Sequence, residues 1–503
     1  MNIPTFTRPV RDTALFVHPF LADYRRNPVN LLVLVLVPVV FVVVAAGPMA
    51  AAAKLLGGTG LSVETAAAGW AAGFLAAIAM YFQTRAARAT DRRLVLAGLP
   101  TTSLVGARLL TGLALAALAA GTALVALALR TGIDNPGRVV AGTVMFAVVY
   151  LAIGALVGVM VPNSVNGTVL ILFVWILDVF FGPALGSPDR VATRGMPTHF
   201  VTLWMVDLPS RHGGRIGDFG WALAWTIGAL VVAALVFTAT TRVARRAHRR
   251  GKPGSPVEQV VTGVRMGLRD YRRNPVLWAL LIAVPVVFIW LSKVVTPGEH
   301  TTLSLIENGK PVTPTFWLPE VHAGTMTPIA IASLAVLTGL FIVLDARTGD
   351  QRLALAGFRV AALLSARLGV IAAAVLMTTA ASLVVTAAVF DARRWALFAV
   401  ANLLLAAVYA LLGVCLGPVF GRVGGVLIAF LVPFLDLGIG QSPMLRTEPA
   451  TWAWFLPGYG PYRVLLDGGL TDRFDTLVPL LLGIDWLLAL GLIAARLFRR
   501  TAS

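Results

Sequence analysis

The chain has 503 residues, of which 58% are hydrophobic and only 13% are Asp, Glu, Lys or Arg. About a quarter of a soluble domain is charged, so a chain this poor in charge cannot cover a water-facing surface. The formal charge of +18 does not point to nucleic acid, because the basic residues gather at the ends of apolar runs, and the Arg242, Arg245, Arg246, Arg249 and Arg250 cluster has no interleaved aromatic residues.

The single cysteine, Cys415, excludes an internal disulfide, and six histidines without ligand spacing argue against a metal site. In chain order, the first element is residues 11–27, a mixture of apolar and charged side chains that stops at Asn27-Pro28. Proline disfavours helix at the residue before it, so an elbow is expected there. The segment reads as an amphipathic helix on the cytoplasmic membrane surface, with Tyr24, Arg25 and Arg26 toward headgroups or a protein partner. A topology-setting charge cluster accounts for the same residues equally well.

A helix rising about 1.5 Å per residue needs roughly 20 apolar residues to cross ~30 Å of hydrocarbon. Six such spans are predicted in the first half, at residues 29–47, 66–84, 103–129, 139–161, 166–182 and 219–240. Residues 30–53 also resemble a signal peptide, but the segment recurs from Val276, where no N-terminal signal can lie, so a retained helix is expected for both copies.

The recurrence extends along the chain. Asp23-Tyr24-Arg25-Arg26-Asn27-Pro28-Val29 returns as Asp270-Tyr271-Arg272-Arg273-Asn274-Pro275-Val276, an offset of 247. Further on the offset is 259: Asp91-Arg92-Arg93-Leu94-Val95-Leu96 matches Asp350-Gln351-Arg352-Leu353-Ala354-Leu355, Arg108 matches Arg367, and Tyr150 matches Tyr409. Asp178 with Asp436 and Asp207 with Asp467 carry the repeat to the end of each half, and the 12 additional residues fall in the loop after the first span of the second copy. Two domains follow, 1–250 and 251–503, joined by the polar stretch 249–258. The second-half spans are 276–295, 326–344, 360–390, 395–417, 423–440 and 477–497.

The fold expected is an all-α integral membrane protein, two tandem six-helix transmembrane bundles in a parallel, pseudo-two-fold arrangement. An even span count puts both termini and the linker on the Arg-rich side, which is the cytoplasmic side of the plasma membrane. Residues 183–218, 296–325 and 441–476 then read as outer loops.

Between the second and third spans, residues 91–99 form a short amphipathic segment, with Asp91 placed to cap it and Gly98 to end it; 350–358 is its copy. Such a segment suits docking into a soluble subunit, and a plain connecting turn would use the same residues. Arg108 and Arg367 lie near cytoplasmic ends, where they can snorkel. Asp178 and Asp436 sit near the outer ends of their helices, where an interfacial place, a local pairing or a substrate role are all open. Asp485 falls near the middle of the last span, opposite Thr226 in the repeat, as a contact to substrate or another helix or as a buried structural hydrogen bond. Gly154-xxx-Gly158 and Gly413-xxx-Gly417 permit close helix approach. His199, His212, His300 and His322 fall in outer loops without a serine or cysteine partner, which disfavours an intramembrane enzyme.

The segment ending in Asp-Tyr-Arg-Arg-Asn-Pro, the Asp-Arg-Arg-Leu-Val-Leu-Ala-Gly-Leu stretch after the second span and the long outer loop before the sixth together resemble the type 2 ABC exporter permeases, a superfamily that includes polyketide-antibiotic and drug exporters. The resemblance covers both halves. It implies a connecting helix carrying Tyr24, Arg25 and Arg26, repeated as Tyr271, Arg272 and Arg273. It implies coupling segments in which Asp91, Arg92, Arg93 and Leu96, and again Asp350, Arg352 and Leu355, dock on an ATPase. The second copy is less basic, so the two contacts are unequal.

No Gly-Lys-Ser or Gly-Lys-Thr loop occurs, so ATP and Mg are expected on two copies of a separate ABC ATPase, with no cofactor in this chain and no nucleic acid. The substrate implied is small and amphipathic or lipophilic, exported along a path on which Asp178, Asp436 and Asp485 are the candidate residues. A proton-coupled secondary transporter of the twelve-helix class is the alternative.

Overall fold

The computed structural model describes residues 28–55, 60–96, 100–185, 193–210, 212–240, 261, 264–265, 275–355, 358–443 and 445–502. The chain divides into two compact units, Met1–His248 and Arg249–Ser503. Both are built of long apolar helices, and among the described residues ten are long and apolar enough to cross a membrane.

The first unit opens with α1, which runs from Pro28 to Leu55. Pro38 removes one N–H from its ladder, and a π turn follows at Phe41–Ala45. The Val42 carbonyl in that turn accepts from Arg130 Nη1 at 2.8 Å, so the irregular backbone is satisfied by a side chain of a neighbouring helix. Next come α2 (Gly60–Leu96), α3 (Thr101–Thr131), α4 (Pro136–Met160), α5 (Ser164–Phe181), the short α6 (His199–Val206) and α7 (Gly214–Thr240). The centre of the unit is α2, most of whose membrane-length stretch is buried, packed along α4. Glycines make that approach possible: a Cβ on Gly154 would overlap the Ala77 carbonyl.

The second unit repeats the plan with α8 (Pro275–Val295), α9 (Leu318–Leu355), α10 (Val360–Ala387), α11 (Trp395–Pro433), α12 (Tyr459–Leu470) and α13 (Leu477–Ala502). Here α9 packs along α11, and a Cβ on Gly413 would overlap the Val336 carbonyl. The sequence separates spans at 395–417 and 423–440, but α11 and its π continuation form one 46-residue run. Its break is a single residue, Gly421, at φ 65° and ψ −160°, a backbone conformation open to glycine and little else. One run can be long enough for two crossings, so counting helices gives fewer than the twelve spans expected.

The stretch 296–325 is not simply a loop. It holds a hairpin, β1 (His300–Thr302) paired with β4 (Thr315–Trp317), and β2 (Leu305–Glu307) with β3 (Lys310–Val312). Asn308 and Gly309 make the turn, both at positive φ, 53° and 70°, which is what a two-residue hairpin with right-handed strand twist demands. The tip is held by Asn308 N–H donating to Asp475 Oδ2 at 2.7 Å. Gly309→Ala should cost about 1 kcal/mol at the turn, seen as faster amide exchange across residues 300–317 with the helices unaffected.

Helix α9 then begins at Leu318 rather than Met326, which puts His322 inside a helix. His322 is buried there, with Nδ1 2.6 Å from Thr296 Oγ1. The other segments expected as outer loops also contain helix. At eight and twelve residues, α6 and α12 reach about 12 and 18 Å, too short to cross, and they bury their apolar faces against the bundle. His199 is buried in α6 for the same reason.

Candidate functional site

The first candidate site is the Asp91 end of α2. From Gln83 to Leu96 the sequence has neither Gly nor Pro and is rich in Ala, Arg and Leu, all strong helix formers. The helix therefore continues unbroken into the segment expected to stand alone, and Asp91 is an interior residue, not an N-cap. Gly98 lies outside the described residues. In the second unit α9 continues likewise through Asp350, and Phe358 N–H closes its end on the Leu353 carbonyl at 2.9 Å.

Both aspartates turn inward. Asp91 Oδ1 accepts from Arg108 Nη2 of α3 at 2.8 Å. Asp350 meets Arg367 of α10 with two bonds, Nη2 to Oδ1 at 2.7 Å and Nε to Oδ2 at 3.2 Å. In each unit the arginine expected near the cytoplasmic end, Arg108 buried and Arg367 half-buried, pairs with the aspartate seventeen residues earlier. Burial pushes the Asp91 carboxyl above the ordinary carboxylate range, and the Arg108 hydrogen bond and charge draw it back.

With the pair locking α2 to α3 and α9 to α10, the last helical turn is left projecting. Leu96 is 88% exposed and Leu355 is 89% exposed, an unusual state for leucine at matching positions of a repeat. Arg93 and Arg352 are exposed beside them. Arg92 lies on the same turn, its side chain outside the described residues. Tyr24, Arg25, Arg26, Tyr271, Arg272 and Arg273 also fall outside the described residues.

The second candidate site is a pair of buried carboxylates. Asp178 of α5 accepts from Tyr150 Oη of α4 at 2.8 Å, from Thr198 Oγ1 at 2.5 Å and from Thr198 N–H at 3.3 Å. Asp436 accepts from Tyr409 Oη, Gln441 Nε2 and Gly458 N–H, each at 2.7 Å. Thr198 and Gly458 are the residues that precede α6 and α12. Each carboxylate therefore ties a short helix to the bundle through that helix's first backbone donors, where a negative charge also meets the positive end of the helix dipole. The repeat of Tyr150 as Tyr409 was the sequence signal for this bond; Thr198 and Gly458 gave none.

A third set was missed from sequence. Arg394 bonds Asp467 at 3.1 Å, and Asp207 pairs with Arg215 and, at 3.3 Å, with Arg138. The Arg215 hydrogen bond holds the Asp207 carboxyl below the usual carboxylate range. Asp485 differs from all of these: it is exposed on α13, with no hydrogen-bond or ion-pair partner among the described residues. The buried structural hydrogen bond open to it from sequence is not there.

Residues 59–242 match the family model described as ABC-2 family transporter protein. The first unit carries an ABC-2 transporter domain. The match takes in α2 through α7, and with them the Asp91 end and the Asp178 knot, while the second unit repeats both. With ten membrane-length helices among the described residues, the chain is a multi-pass membrane protein whose first unit is similar to the ABC-2 transporter family over residues 59–242. No curated protein matches it.

Proposed function

We propose that the chain is the membrane-spanning permease of an ABC exporter, moving an amphipathic or lipophilic substrate outward with ATP hydrolysed elsewhere. Six spans in each half cross the plasma membrane, with both termini cytoplasmic. Two copies of a separate ATPase bind the ATP and Mg, and the turns ending at Leu96 and Leu355 dock on them.

The observation that carries this reading is the repeated projecting turn inside and beyond the ABC-2 match: a leucine left in the open, on a helix end fixed by a buried ion pair, is built to enter something. Leu96→Glu with Leu355→Glu should lower recovery of the P-loop ATPase with the tagged chain roughly tenfold or more, the size expected for an apolar anchor at the centre of an interface. Unchanged recovery of the ATPase, with the permease folded, would remove the docking role.

The proton-coupled alternative draws on one observation, the unpartnered Asp485. Under that reading Asp485→Asn stops export and export by the unaltered chain survives loss of the ATPase; under ours, export continues in Asp485→Asn and stops without the ATPase.

A further inference from the structure

The stretch between the π continuation of α11 and the start of α12 turns three large aromatic side chains outward within four residues. Trp452 is 40% exposed, Trp454 46% and Phe455 77%. They stand on a 3₁₀ turn, Thr451–Phe455, whose backbone is held from both sides. Ala450 N–H donates to the Gly440 carbonyl at 2.8 Å, Ala453 is buried, and the Thr447 carbonyl accepts from Ser304 N–H, between β1 and β2, at 3.1 Å. The exposure therefore belongs to a fixed surface. Counting by the Asp207–Asp467 pair, the first half has Ala192, Arg194 and Gly195 at the matching positions.

Two contacts give the depth of this turn. Trp452 lies over Gly440, the last residue of the 46-residue apolar run, where a Cβ would sit 2.9 Å from its ring. The Trp454 ring is 5.0 Å from that of Tyr459. The next residue, Gly460, packs on α13: a Cβ there would overlap the Pro479 carbonyl and come 2.7 Å from the Gly483 nitrogen. Within α13, exposed Arg496 lies about 28 Å along the axis from Leu477, close to the ~30 Å of hydrocarbon. The hydrocarbon then begins near Leu477, and Pro479 to Gly483 lies about 3–9 Å inside it. Outward aromatics at that level meet the zone where acyl chains give way to headgroups.

We propose that Trp452, Trp454 and Phe455 form a lipid-binding surface that anchors the second half in the headgroup boundary of one leaflet, a surface the first half lacks. Tryptophan suits that zone because its ring is apolar while its N–H finds a headgroup oxygen or water. Phenylalanine has no polar handle, and the most exposed of the three is the one that gains most from acyl chains. The anchor acts on α12, since Gly458, three residues after Phe455, donates its N–H to Asp436. Helix α9 runs from the hairpin to Leu355, so this surface sits at the opposite end of the unit from the projecting leucine and does not rest on the docking reading.

Spin labelling of the full chain in phosphatidylcholine vesicles tests this, on a Cys415→Ala background that removes the single native thiol. A nitroxide at Phe455→Cys should collide with oxygen, which concentrates in lipid, in preference to a water-soluble nickel chelate. Leu481→Cys, exposed on α13, should show the same order, and Glu448→Cys, exposed on the loop before the turn, the reverse. A Phe455 label that follows Glu448 overturns the inference in favour of a water-facing patch. A label shielded from both reagents overturns it in favour of a protein surface, such as a second copy of the chain. Quenching of tryptophan emission by phosphatidylcholine brominated on its acyl chains is an independent measure. It should fall in Trp452→Phe with Trp454→Phe, and an unchanged quenched fraction overturns the lipid contact of those two rings.

Discussion

Asp178→Ala should destabilise the first unit by on the order of 3 kcal/mol, far more than removal of either partner alone. The carboxylate takes three hydrogen bonds from two residues, Tyr150 and Thr198, all in a buried setting. Interhelical hydrogen bonds in membrane proteins average well under 1 kcal/mol each, because a chain loosened within the bilayer finds substitutes. That figure fits Tyr150→Phe, which removes one donor and leaves the carboxylate two. It does not fit the loss of the acceptor, which strands two buried hydroxyls and the backbone N–H ahead of α6 together.

Asp178→Asn should fall between, since the amide oxygen keeps an acceptor but brings an N–H₂ where only donors converge. Asp436→Ala should do the same to α12, through Tyr409, Gln441 and Gly458. Thermal unfolding in detergent measures the loss, and protease cleavage near residues 193–198 shows whether α6 has come away. A melting temperature unchanged in Asp178→Ala would mean the knot holds nothing.

The duplication was open to view in the sequence, and its offset has a geometric meaning. Gly154 lies against Ala77 and Gly413 against Val336, pairs that differ by the same 259 residues as Asp91 and Asp350. The apolar spans were legible because length and hydropathy alone decide them. The polar contacts were not. Asp178 and Tyr150 are 28 residues apart on different helices, and nothing in either segment states which face meets which.

Helix ends failed for a related reason. Asp91 has the composition of a cap, but a cap is defined by where the preceding backbone stops being helical, and the Ala- and Arg-rich residues before it never stop. The short helices α6 and α12 were hidden inside loops because eight to twelve residues give too few turns for an apolar period to stand out. Asp485 departs from its repeat partner in burial as well as in residue type: it is exposed where Thr226 is buried.

Gly154→Leu should prevent the first unit from assembling, and Gly413→Leu the second. At Gly154 a Cβ alone would overlap the Ala77 carbonyl and come within 2.8 Å of its Cα and carbonyl carbon. At Gly413 it would meet the Val336 carbonyl and sit 2.8 Å from the Leu340 nitrogen. These are backbone atoms of buried helices, so no rotamer change relieves the clash, and the helices must part. Overpacking of ordinary cores costs about 1–3 kcal/mol because side chains yield; here they cannot, and the cost should exceed that range.

Gly158 supplies a graded comparison, since its Cβ would come within 3.0 Å of the Thr84 side chain and 3.1 Å of the Tyr81 carbonyl. Gly158→Ala should be tolerated with a modest loss. Gly121, on the exposed side of α3 with nothing within 4 Å, should accept alanine freely, and gain up to about 1 kcal/mol from helix propensity. Yield of monodisperse protein and melting temperature should rank Gly121→Ala, Gly158→Ala and Gly154→Leu in that order.

The ranking bears on function because α2 is one continuous helix from the Gly154 contact to Leu96. Spacing α2 away from α4 by the width of a methyl group must also displace the Asp91–Arg108 pair and the turn beyond it. A Gly158→Ala chain that folds with only that modest loss should therefore also lose part of its grip on the proposed ATPase. Full recovery would show that the projecting turn is set by α3 alone.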